Sequence, residues 1–206
     1  MNAKTAGNKS MRTVVLVMAW FLLGGCSPGS TEDGATTPST DGPLKVMSFA
    51  GELSADAPRS GGRWMETFSA VVLCTTEPID VTSVVYSGPT SPISSFATLH
   101  WISEAKKRTP STVISMRGAP DAEDPEWSEL GGRFVRVSGD EIRMQPNCED
   151  GRKVELLTTL DVSKRGADID AVTVEYSSQD IEYQLEVPYH YVACGQNIAD
   201  QARFCE

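Results

Sequence analysis

The chain has 206 residues, with 28 Asp and Glu against 18 Lys and Arg and a net charge of −10. That length leaves room for one domain with a sizeable core after a leader is set aside. The acid excess excludes nucleic acid and bare anionic lipid as partners of the folded part, because phosphate would be repelled.

The first segment carries Lys4, Lys9 and Arg12 with no acidic residue, then an apolar run from Thr13 to Leu23. Eleven residues suit a secretory core segment and fall well short of the roughly 20 needed to span a bilayer. Small Gly24 and Gly25 precede Cys26, as the narrow site of a signal peptidase requires. The segment resembles a bacterial lipoprotein signal with its lipobox, although Gly24 stands where Ala or Ser is commoner. The resemblance implies residues 1–25 as a removed signal and Cys26 as the acylated first mature residue. Two or three acyl chains hold a domain on a membrane essentially permanently, whereas one binds only marginally. The expected location is the extracytoplasmic face of the cell membrane, with the membrane as partner through the anchor. Without the three leading cations, 15 basic residues face 28 acidic ones, a net of −13.

Residues 27–43 read SPGSTEDGATTPSTDGP and contain no large apolar side chain. Such a stretch cannot bury enough surface to offset its ordering entropy, so a disordered tether is expected. Its flexible-chain reach is about 20–25 Å.

The body, residues 44–206, reads as short strands. Leu44 to Leu53, Phe68 to Cys74, Val81 to Tyr86, Phe96 to Ile102 and Thr112 to Met116 are β-branched or aromatic. Pro, Gly or Ser clusters bound most of them. Ser103 to Arg108 looks briefly helical. Asp121, Glu123, Asp124, Glu126 and Glu129 form a Pro-flanked acidic segment, expected to be a solvated loop. Trp127 inside it is the candidate exposed aromatic contact, weighed against simple packing. Trp101, alternating with Leu99 and Ala97, is expected in the core.

Phe134 to Val137 and Glu141 to Met144 flank Ser138-Gly139-Asp140, which predicts a tight hairpin. Val154, Leu156, Thr158, Leu160 and Val162 alternate, then Lys164 to Ala167 turns. Val172, Val174 and Tyr176 precede the polar turn Ser177 to Asp180 and the run Ile181 to Ala193, again a hairpin signal. In that run the odd positions are apolar or aromatic, the period of a half-buried strand. Pro188 cannot donate to a ladder, so it marks an edge or divides the run in two. The tail around Ile198 to Phe204 suits a helical turn or two. Nine or ten strands without long helices predict an all-β, antiparallel sandwich of the immunoglobulin-like kind, with a barrel as the alternative.

Beyond Cys26 stand Cys74, Cys148, Cys194 and Cys205. An even count in an exported chain favours two disulfides. Three connectivities are open. Cys74–Cys148 with Cys194–Cys205 is the preferred expectation, since the second pair is close in sequence and would staple the tail onto the last strand.

The stretch Gly166 to Cys194, GADIDAVTVEYSSQDIEYQLEVPYHYVAC, resembles the closing hairpin of small lipoproteins of high-GC Gram-positive bacteria. Cys74 on a strand and Cys148 before a Gly turn are similar as well. The resemblance implies the compartment and a sandwich, and it transfers no catalytic or binding residue.

Chemical motifs are sparse. There is no Gly-x-Ser-x-Gly elbow, no Walker or dinucleotide glycine loop, and no C-x-x-C for structural zinc. Ser103 to Lys106 matches Ser-x-x-Lys, but the partner motifs of penicillin-recognising enzymes are missing. His100 and His190 are the only histidines, so metal binding or a His-based hydrolase would depend on them. A cupredoxin wants a His shortly after the Cys, whereas His190 precedes Cys194. The acidic segment lacks the EF-hand pattern for calcium. The sequence therefore points to a non-catalytic binding or interaction module with no cofactor, facing another envelope protein. A metal or small-ligand carrier is the alternative.

Overall fold

The computed structural model describes residues 41–198 and 205, apart from residues 50, 60, 103–113, 122 and 188. The signal segment, Cys26, the Ser103–Arg108 helix expectation and most of the tail lie outside the described residues. Among the described residues, thirteen strands and one short helix follow in chain order. The first six strands are β1 (Leu44–Phe49), β2 (Glu52–Ala55), β3 (Trp64–Thr75), β4 (Ile79–Ser87), β5 (Ser94–Trp101) and β6 (Ile114–Arg117). Helix α1 (Pro125–Leu130) precedes β7 (Arg133–Arg136), β8 (Ile142–Met144) and β9 (Val154–Val162). The chain closes with β10 (Ala167–Ile169), β11 (Ala171–Ser178), β12 (Ile181–Val187) and β13 (His190–Ala193).

Antiparallel sheets pack face to face as an all-β sandwich. One sheet runs β1-β3-β9-β5-β7, and the other runs β12-β11-β4-β8. Strand β6 pairs with the first half of β3 and β1 with the second, so the two share one edge of that strand. A small third sheet, β10-β13-β2, includes a parallel pair, β13 with β2. One hydrophobic core draws on all three sheets, from Phe68 and Leu156 through Val174 to Tyr191.

Strand β9 shows how alternation is satisfied on both faces. Val154, Leu156, Leu160 and Val162 enter the main core. The opposite face carries Glu155, Leu157, Thr159 and Asp161, and each finds its own partner. Glu155 lies opposite His100 in the ladder, and Thr159 Oγ1 is 2.8 Å from Thr67 Oγ1. Arg63 forks onto Asp161, with Nε 2.7 Å from Oδ1. That contact holds the Asp161 carboxyl below its ordinary value, against the effect of burial. Leu157 packs beneath α1.

Several expectations are met in detail. Strands β11 and β12 form the hairpin, with Gln179 and Asp180 both at positive φ in the two-residue turn. That is the conformation a tight hairpin needs to match strand twist. The Ile181–Ala193 run divides between Val187 and His190, and its halves join different sheets. Both disulfides join the expected partners, Cys74–Cys148 and Cys194–Cys205.

Others are corrected. The Leu44–Leu53 segment is two strands in two sheets. Phe134–Val137 and Glu141–Met144 do not pair: β7 joins β5 and β8 crosses to β4. The local turn is real, with Gly139 at φ 94°, but core burial of Ile142 and Met144 recruits β8 to the other sheet. Gly42, expected within the tether, packs against the body instead. Gly42 is buried, and a Cβ there would lie 2.1 Å from Tyr176 Oη. Only glycine lets the chain cross the stacked rings of Tyr176 and Tyr183.

Candidate functional site

Among the described residues, those singled out from sequence each have a place. Trp127 is not an exposed contact: it is 2% exposed on α1. Asp124 caps that helix through its side chain to Glu126 N at 2.8 Å, and Pro125 follows at the first helical position. This is the usual polar start with a proline whose missing N–H costs nothing. The acidic segment is thus partly helical. Its carboxylates face water while Trp127 and Leu130 close over Leu157. Trp127 meets Phe134 edge-on. Trp101 is half-buried and packs against the main core from its edge, with Arg133 lying over its ring.

The histidines sit in different sheets and do not meet in one site. His100, 2% exposed, places Nδ1 2.9 Å from Glu155 Oε2 and Nε2 2.6 Å from the Gly131 carbonyl. It stacks on Phe134. Gly132 is required alongside, because a Cβ there would come within 2.1 Å of Trp101 O. His190, on the middle strand of the small sheet, lies between two carboxylates. Its Nδ1 is 2.5 Å from Glu52 Oε1 on β2, and its Nε2 is 2.7 Å from Asp168 Oδ1 on β10. Burial opposes charging this ring. Hydrogen bonds to Asp168 and Glu52, with their charges, outweigh that and raise its pKa above the ordinary 6.5. His190 is therefore an ionic clamp across three strands, not a free exposed side chain.

In both cases the ring nitrogens are engaged by the protein itself. Neither presents a lone pair to a metal ion or to a hydroxyl nucleophile, so the geometry favours structural roles for both. Among the described residues, no group of three His, Cys, Asp or Glu side chains is arranged to hold a metal. Tyr86, Tyr189 and Tyr191 bury their hydroxyls in the core, and burial pushes all three phenols well up, so they stay protonated.

A different feature stands out as a site. At the end of β3 where Trp64 lies, a groove of about 550 Å³ opens between the segment after β2, the turn after β9 and the segment after β13. Arg59, Gly61, Trp64, Lys164, Gln196 and the Cys194–Cys205 bridge line it, with Asp56 at the same rim. The indole of Trp64 is 7% exposed, and its buried Nε1–H has no acceptor among the described residues. A buried donor left unmatched costs about 1–3 kcal/mol. Trp64 belongs to the core and also forms part of the groove wall. The one available signal was the Gly-Gly-Arg-Trp run, which reads as a loop meeting a strand. The cationic residues of the far turn, Lys164 and Arg165, are about a hundred positions away in sequence.

The large exposed apolar residues among those described, Met47, Met65, Val85, Ile93 and Ile181, each come from a different segment. Compared with known proteins, the chain matches no family model and no curated sequence.

Proposed function

We propose that the chain is a lipoprotein held by acyl groups on Cys26 at the extracytoplasmic face of the membrane. There its sandwich serves as a non-catalytic binding module with no resident cofactor. The observation that carries the anchor is cysteine bookkeeping. Two disulfides use Cys74, Cys148, Cys194 and Cys205, and the fifth cysteine stands directly behind the apolar run. Disulfides persist in oxidising compartments, which agrees with export. An odd cysteine in that setting needs a chemistry of its own, and the lipobox-like context supplies acylation. The likeness of residues 166–194 to lipoproteins of high-GC Gram-positive bacteria belongs to the same reading.

The strand order supports an immunoglobulin-like sandwich. With β1, β3, β4, β5, β9, β11 and β12 as strands A to G, the sheets read A-B-E-D and G-F-C. Such a scaffold places its loops at two poles, where binding sites are built. The carrier reading keeps support for a small ligand, through the groove beside Trp64. Its metal form has less, because both imidazoles are engaged on both nitrogens.

Replacing the acylated residue tests the anchor. Cys26→Ser is expected to move the protein from the membrane fraction to the medium or soluble envelope fraction. The native chain should show a mass starting at Cys26 plus its acyl groups. Unchanged fractionation with an unmodified start elsewhere would refute it.

A further inference from the structure

Strand β12 is an outer strand of its sheet, and among the described strands it pairs with β11 alone. The hairpin turn fixes which of its backbone groups are spare. Ser178 and Ile181 close the two-residue turn as a hydrogen-bonded pair, and such pairs alternate along an antiparallel ladder. Ile181, Tyr183, Leu185 and Val187 therefore bond to β11, while Glu182, Gln184 and Glu186 turn their N–H and C=O groups outward. Among the described residues, no backbone or side-chain group hydrogen-bonds to these outward groups. Gly42 lies against the Tyr183 ring and makes no backbone hydrogen bond to β12. An open edge of this kind is a template for a further strand.

The side chains say what that strand should carry. Glu182, Gln184 and Glu186 lie opposite Ser177, Glu175 and Thr173, on the face turned away from the core. Strands β12, β11 and β4 contain no Lys, Arg or His. Glu175 is held by the Ser83 hydroxyl, whereas Glu182 and Glu186 are exposed. The inner side of β12 offers Tyr183 and Leu185, half-buried against the core. A second copy of β12 is a poor occupant. Antiparallel self-pairing centred on Gln184 sets Glu182 opposite Glu186 at both ends, and like charges directly opposite destabilise a sheet. Residues 27–43 are no better matched, since they bear Glu32, Asp33 and Asp41 and no base. The carboxylates that keep copies apart thus select a basic strand.

We propose that the β12 edge binds an extended basic segment of another protein, adding it to the sheet as an antiparallel strand. The outward backbone groups of Glu182, Gln184 and Glu186 make the ladder. In a five-residue window of the partner, Lys or Arg at the first and fifth positions sit opposite Glu186 and Glu182. Apolar residues at the second and fourth positions lie opposite Leu185 and Tyr183. The site is on the flank of the sandwich rather than among the loops at its poles. This deepens the binding reading and rests on it.

The test follows amide hydrogen exchange by magnetic resonance in the full chain, isotope-labelled and purified in detergent. The probe is the acetylated, amidated peptide Thr-Lys-Val-Thr-Val-Lys-Thr. One control peptide carries Glu for both Lys, and another is N-methylated at both Lys and the central Thr, whose amides would face β12. In the free protein the amides of Glu182, Gln184 and Glu186 should exchange fast, and those of Tyr183 and Leu185 slowly. Saturation with the Lys peptide should slow the first set by at least about tenfold. The Glu peptide should bind at least about fivefold more weakly, and so should the Lys peptide to Glu182→Gln/Glu186→Gln, as two lost cross-strand charge pairs imply. The N-methylated peptide should not bind. Protection of the three amides in the free protein would mean that the chain covers its own edge, and protection that grows with protein concentration would mean that a second copy does. Either result overturns the proposal. So does equal binding of the Lys and Glu peptides, binding of the N-methylated peptide, or unchanged exchange with the Lys peptide in large excess. Envelope partners captured equally well by the wild type and the Glu182/Glu186 variant would overturn the edge alone and leave the binding reading standing. Capture of no specific partner, with no peptide bound, removes that reading too.

Discussion

Opening the Cys74–Cys148 bridge should cost more stability than opening the bridge that holds the tail. Cys74 ends β3 in one large sheet and Cys148 follows β8 in the other, so this bond links the two layers across a sequence separation of 74. Closing a loop of that length in the unfolded chain corresponds to about 4.5 kcal/mol on the chain-entropy relation. The Cys194–Cys205 bond spans a separation of only 11, which corresponds to about 2.8 kcal/mol. The native segment around Cys148 should stay in place without its bond, because Asn147 is anchored independently. Its side chain accepts from Thr75 N at 2.7 Å and donates to Arg152 O at 3.1 Å, and its own backbone N–H reaches Thr75 O. The loss then falls on the unfolded state. The assay is urea unfolding, followed by circular dichroism, of Cys74→Ala/Cys148→Ala and Cys194→Ala/Cys205→Ala. The first should be less stable than the second by about 1.7 kcal/mol, with a steeper urea dependence as its unfolded chain expands. A tail variant that is equally or more destabilised would refute loop closure as the source.

Three further outcomes follow from the same packing. Asn147→Ala strands the buried Thr75 N–H and should cost about 1–3 kcal/mol by urea midpoint, while Asn147→Asp retains the acceptor and should cost less. Trp127→Ala removes the pillar of the outer cluster and should cost about 3 kcal/mol, the low end for a buried aromatic because the cluster is a satellite of the main core. A change within error would mean that α1 does not hold Trp127 down. For His190 the folded pKa lies above the unfolded one. Its contribution is therefore complete below about pH 6.5 and fades as pH rises through the higher folded value. Midpoints measured across that window should fall for the wild type relative to His190→Gln, and parallel profiles would refute the clamp.

Much of this fold was legible because local signals and tertiary needs agree. The β11–β12 hairpin has alternating partners and a polar turn at which two non-glycine residues accept positive φ. The β7–β8 pair shows the opposite case. Turn chemistry around Gly139 is local information, whereas the choice of sheet depends on where Ile142 and Met144 find apolar neighbours. Trp127 was misplaced for a similar reason. A run dense in carboxylates reads as solvated, yet on a one-and-a-half-turn helix only one face needs to be wet, and Trp127 and Leu130 are three apart on the other. The groove was least legible of all. Its walls come from three segments after β2, β9 and β13, which no spacing pattern in a single sequence brings together.

The small sheet has a consequence for how the molecule is made. Glu52, near the start of the body, is held by His190, 138 positions later, on a strand that pairs in parallel with β2. A chain that folds from its amino end cannot complete that sheet until β13 is available to pair with β2 and β10. Until then, β2 offers an open edge to whatever stands nearby. Completion of the small sheet is thus timed by the arrival of β13, and truncation before that strand should leave unfinished molecules prone to clump.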